Sequence, residues 1–129
     1  MINSLTKYAD LPARAAMSTI FILSGISKIS AFEETQGYLE AFGLPGFLLA
    51  PTTAFEILAG LALLVGFKTR YIALVLAGFT VVTALVFHRD FADQLQQIMF
   101  LKNIAIAGGL LLLAKTGAPT FSFEKTANP

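Results

Sequence analysis

A chain of 129 residues has room for one domain, so a separate soluble catalytic unit would come from a partner. Hydrophobic residues make up 56% and charged residues 13%, against about 25% charged in soluble domains, and the mean hydropathy is +0.73; a net charge of +1 offers no footprint for nucleic acid. The lack of cysteine excludes disulfides, thiol redox chemistry, iron–sulfur ligation and Cys-based zinc sites, and a single histidine, His88, excludes a bis-histidine haem or an H-E-x-x-H site within one copy; no metal site is expected.

Four apolar stretches predict an all-α membrane protein. The expected architecture is a four-transmembrane-helix antiparallel bundle forming one membrane domain over residues 1–119, with spans at about 11–29, 47–66, 71–87 and 98–114. The first stretch has an alternative reading as a signal peptide, since Lys7 and Arg14 precede an apolar run followed by small residues. Against it, Asp10 sits in the would-be basic region and Lys28 interrupts the would-be cleavage region. The loop from Ser30 to Gly46 carries Glu33, Glu34 and Glu40 and the turn residues Gly43, Pro45 and Gly46. It is expected to hold a short amphipathic helix on the membrane, with Phe32, Tyr38, Leu39 and Phe42 touching lipid or the bundle.

Spans two and three are joined only by Phe67 to Arg70, which implies an antiparallel hairpin. Span three is short and needs a thin bilayer region or part of Lys68 to Arg70 as helix. Span four can be lengthened at its start, because Phe91, Leu95, Ile98 and Met99 recur at helical spacing. A soluble helical bundle would need polar faces that Ile57 to Val65 and Ile72 to Val82 lack. Gly117 and Pro119 open a loose tail over residues 120–129. With no Trp, Tyr8, Tyr38 and Tyr71 are left to mark the interfaces.

Lys7, Arg14, Lys68, Arg70, Lys115 and Lys125 fall on the side of the termini and the short hairpin, whereas Lys28, Arg89 and Lys102 fall on the other. Positive residues favour the cytoplasm, so both termini are expected there, in a bacterial inner membrane, with the acidic first loop outside. Arg14 is read as an interfacial anchor, while the stripe Arg14, Ser18, Phe21, Gly25 and Lys28 is expected to face the bundle interior.

Ionisable groups in a span cost about 2.5 to 3.5 kcal/mol each at its centre and ask for a partner or a purpose. Lys28, Glu56, His88, Lys102 and the amide Asn103 come from four parts of the sequence, yet alternation of the spans puts all five in the outer half. Ala59 and Gly60 beside Glu56, and the face Lys102, Ala105 and Gly109, are small-residue surfaces for close helix approach. Two readings stand: a structural ion pair of Glu56 with Lys102 or Lys28, or a polar cavity. In the cavity, Glu56 and His88 would be the catalytic candidates that handle protons, and Lys28, Lys102 and Asn103 would hold an anionic or carbonyl ligand. Met17 and Met99 are read as packing.

The segments SGISKISAF (Ser24 to Phe32), GLP (Gly43 to Pro45), FEILAGLALLVGFKTR (Phe55 to Arg70), FH (Phe87 to His88) and FLKNIAIAGGLLLLAKTGAP (Phe100 to Pro119) together resemble the DoxX family of small bacterial membrane proteins. The resemblance implies four spans and recurring polar positions at Lys28, Glu56, His88, Lys102 and Asn103. It also implies kinship with the DoxD-type subunit linked to thiosulfate:quinone oxidoreduction. A redox role would then need a quinone or a redox partner subunit, since no flavin, nicotinamide or haem motif is present. The alternative is a non-enzymatic binding, transport or assembly protein, and in either case small-residue faces leave room for a homo-oligomer.

Overall fold

The computed structural model describes residues 2–119, so the tail expected at 120–129 lies outside the described residues. The described residues form helices and turns with no strand: α1 (Ile2–Thr6), α2 (Asp10–Ser30), α3 (Phe32–Ala41), a 3-10 turn (Gly46–Leu48) leading into α4 (Leu49–Val65), α5 (Thr69–Phe87) and α6 (Gln94–Thr116). Pro12 and Pro51 sit in the first turns of α2 and α4, where a missing N–H breaks no helical bond. Helix α4 stops at Gly66, whose φ of 77° is left-handed. There the Gly66 N–H donates to Leu63 O (3.2 Å) and the Phe67 N–H to Ala62 O (2.8 Å), the paired bonds of a Schellman cap. Three residues later α5 begins, and it takes in Thr69 and Arg70 as helix. Helix α6 starts at Gln94, where the Asp93 carboxylate accepts the Leu95 N–H at 3.0 Å.

By length and composition, α5, α6 and the segment Gly46–Val65 are apolar enough to cross a membrane. Helix α2 has 21 residues, but Arg14, Lys28 and its serines dilute its apolar content, and it reaches the same standard only together with α3. The chain turns at Ala31 (φ −119°, ψ 48°), and α3 leaves α2 at 98°. No residue of α3 is fully buried, and Glu33 and Glu34 are exposed.

The long helices associate as two close pairs, α2 with α4 and α5 with α6, while α4–α5 and α2–α6 touch far less. Glycine sets the first pairing. A Cβ on Gly60 would stand 2.8 Å from Ile22 Cγ1 and 3.3 Å from Ser18 O, and one on Gly25 would run into the Ile57 side chain with Thr53 O at 3.4 Å. Main chains therefore approach at two levels, as the small residues beside Glu56 imply. The core joins Phe21, Ala59, Leu63, Leu76, Ala77, Leu110 and Leu113 from all four long helices. Large side chains on the outer faces, such as Leu58, Val75 and Leu112, are exposed and suit lipid.

One expectation about a face needs correction. On α6, Lys102 and Ala105 are exposed, and the buried face is Ala107, Leu110 and Leu113, because α5 is its main partner and bulky apolar side chains fill that seam. Gly109, the third residue of that face, does meet another helix, at the Met17 side chain of α2. Arg14, read as an interfacial anchor, is 1% exposed, and together with Ser18, Phe21 and Gly25 it makes up the buried set of α2, the stripe expected to face the interior.

Candidate functional site

Between the two helix pairs lies a cavity of about 540 Å³, within the range of small-molecule sites. Its walls are mostly apolar, with Phe21 from α2, Leu49 from α4, Phe79 and Val86 from α5 and Ile106 from α6. Lys28, Glu56, His88, Lys102 and Asn103 all open onto it, so the five costly polar residues of the spans line one space.

Glu56 is 4% exposed on the α2-facing side of α4. Its Oε1 lies 2.9 Å from Lys28 Nζ; Lys28 Nζ donates to Ser24 Oγ at 2.7 Å, and Ser24 Oγ donates onward to Glu56 Oε2 at 3.4 Å. The result is a closed triangle that ties α2 to α4. Glu56 therefore pairs with Lys28, and Lys102 makes no ion pair among the described residues, although it lines the same space. Ser24 was not singled out in the sequence; its position one helical turn before Lys28 is the signal that points to it.

His88 caps α5, with its backbone N–H on Ala84 O at 3.0 Å and its Nδ1 3.1 Å from Gln96 Oε1. An amide oxygen only accepts, so this contact calls for the proton on Nδ1. Asn103 is spent differently. Its Nδ2 donates to Thr80 O (3.3 Å) and Thr83 Oγ1 (3.1 Å), which pins α6 to α5 and leaves Oδ1 as its only uncommitted polar atom among these bonds.

Helix α3 folds over one end of the cavity, where Thr35, Tyr38 and Leu39 join the lining. Tyr38, Phe42 and Phe87 cluster there, tilted for Tyr38–Phe42 and edge-on for Phe42–Phe87 with centroids 4.9 Å apart, and stacked for Tyr38–Phe87 at 5.7 Å. The sequence singled out Tyr38 and Phe42 as lipid or bundle contacts, but Phe87 as their partner was not legible. A further pair, Phe55 with Phe79 at 5.3 Å, joins α4 to α5.

The sequence model of the DoxX family matches residues 9–89, which include Lys28, Glu56 and His88 and end before α6. Inner membrane protein YqjF of Escherichia coli (strain K12) is 47% identical over 127 residues, 98% of each chain. Inner membrane protein YphA of the same strain is 35% identical over 122 residues, 89% of this chain and 87% of its own. The Bacillus subtilis (strain 168) protein CatD, whose name proposes an oxidoreductase, is 28% identical over 85 residues, 66% of this chain and 63% of its own. No solved structure matches. With a family match over most of its length, near full-length inner-membrane relatives and helices fit to cross a bilayer, this membrane protein belongs to the DoxX family.

Proposed function

We propose that the chain is a quinone-linked inner-membrane subunit that holds the quinone head between its two helix pairs. The observation that carries this reading is the largely apolar cavity onto which Lys28, Glu56, His88, Lys102 and Asn103 together open. A flat apolar ring fits such walls, and its carbonyl oxygens need donors. Lys102, which makes no ion pair among the described residues, supplies one; Lys28 keeps an N–H beyond its contacts with Glu56 and Ser24. Reduction of a quinone to a quinol takes two electrons and two protons. Glu56 and His88 are the groups placed to handle the protons, and a redox partner subunit would bring the electrons. The distant likeness to CatD favours a redox setting. Asn103 acts through position, by holding Lys102 and its helix against α5.

In the bilayer, α2 acts as a fourth span beside α4, α5 and α6, in antiparallel order, with α3 at the interface. The charge balance favours both termini in the cytoplasm and the cavity in the outer half: Lys7, Arg14, Lys68, Arg70 and Lys115 sit at the end away from Lys28 and His88. Topology reporters fused after Pro119 and within α3 at Glu34 should read opposite sides. The same side for both would break the arrangement.

One observation favours a second reading, a non-enzymatic binding, transport or assembly protein. The triangle of Lys28, Ser24 and Glu56 is complete without a ligand and holds two helices in register. The readings separate on protein purified in mild detergent and extracted for quinone, beside Glu56→Gln. The quinone reading expects near-stoichiometric quinone in the wild type and loss of it in the variant. Quinone-free wild type, with Glu56→Gln only less heat-stable, favours the structural role.

A further inference from the structure

We infer that the ligand of this cavity is lipid-borne: it enters sideways from the bilayer between α4 and α5 and leaves an aliphatic tail in that gap. The inference rests on the quinone reading and specifies its class, a quinone with a long tail and not a free water-soluble one.

Two features of the cavity carry it. Its water-facing end is covered. The chain turns through 98° after α2, lays α3 across that end, and contributes Thr35, Tyr38, Leu39 and then Leu44 to the lining. The Tyr38, Phe42 and Phe87 rings tie this cover to the last turn of α5. A route past α3 would have to part these three rings and lift the helix.

The side is open. Helices α4 and α5 are joined by a three-residue turn, yet they touch much less than α5 touches α6, so the two diverge away from the turn. The Phe55–Phe79 contact marks where the seam is still closed. Beyond it, Leu48 and Val82 belong to the cavity lining and are also 37% and 56% exposed. A residue that both lines a cavity and faces outward marks an opening; Tyr38 on α3 and Lys102 on α6 do so at polar edges, whereas at the α4–α5 seam both such residues are aliphatic. An opening edged by leucine and valine on the hydrocarbon-facing flank repels a hydrated solute and accepts an alkyl chain. Lys28 on α2 and Lys102 on α6 line the same cavity, where a carbonyl head would reach either while its tail still lay between α4 and α5.

The chain has no tryptophan, so a single introduced indole both plugs the gap and reports on it. Binding of a decyl-tailed benzoquinone and of the same ring without a tail is measured on full-length protein in lipid nanodiscs. The proteins are wild type, Val82→Trp, Leu48→Trp and the control Leu112→Trp, whose site is 67% exposed on α6 and outside the lining. The wild type should favour the tailed quinone. Val82→Trp and Leu48→Trp should each weaken the tailed quinone by about tenfold and leave the tail-less ring within about twofold, and Leu112→Trp should change neither. Equal weakening of both quinones, or no weakening of either, overturns sideways entry while leaving the quinone site standing. A wild type that binds neither quinone overturns the quinone reading, and this inference with it.

Discussion

Lys28→Met should destabilise the protein by about 3 kcal/mol, the lower end of the cost of breaking a buried ion pair, because Lys28 retains 27% side-chain exposure. Methionine keeps most of the apolar stem, so the loss reports on charge more than on volume. It strands the Glu56 carboxylate at 5% side-chain exposure with only the long 3.4 Å bond from Ser24. Adding Glu56→Gln should recover most of the loss, since the pair is then removed as a unit and no buried charge is left over. Lys102→Met, by contrast, should stay within about 0.5 kcal/mol, because Lys102 is exposed and has no acidic partner among the described residues. Unfolding in SDS followed by far-ultraviolet circular dichroism measures all four proteins. Equal losses for Lys28→Met and Lys102→Met would show that Glu56 is shared between the two lysines.

That contrast marks where the sequence stops being informative. The cost of placing charge in a membrane singles out Lys28, Glu56, His88, Lys102 and Asn103, and alternation of helix direction sets their depth. Depth is only one coordinate. Which lysine Glu56 meets depends on which helices are neighbours and how each is rotated, and α4 lies against α2, not α6. The stripe of α2 was legible because five positions repeat on one face. The face of α6 was not, because nearly every position from Ile104 to Leu113 is apolar or small and no polar side breaks the symmetry. Asn103 shows the same limit: its residue type marks it as costly, but its partners Thr80 and Thr83 are on another helix. The helix in the first loop follows from its composition, whereas the sharp turn at Ala31 and the stacking on Phe87 are set by tertiary packing.

Arg14 is the other residue whose loss should be costly, and it separates stability from ligand binding. Its Nη1 donates to Leu64 O at 3.3 Å and its Nη2 lies 3.5 Å from Asp10 Oδ2. Leu64 is one residue from the end of α4, so its carbonyl belongs to the terminal set without an intrahelical partner, at the negative pole of the helix. A planar guanidinium can address that carbonyl and the carboxylate of its own helix together, and so fasten the start of α2 to the end of α4. Arg14→Met should therefore cost about 3 kcal/mol by leaving both acceptors short of a donor. Arg14→Lys should restore only part of this, because one ammonium cannot span two acceptors in different directions. Arg14 lies about 21 Å along α2 from Lys28, at 1.5 Å per residue, and does not line the cavity. SDS unfolding should thus shift in Arg14→Met while quinone binding to the folded fraction stays at the wild-type level. A parallel fall in both would mean that the α2–α4 clasp controls the shape of the cavity from the opposite end of the helix pair.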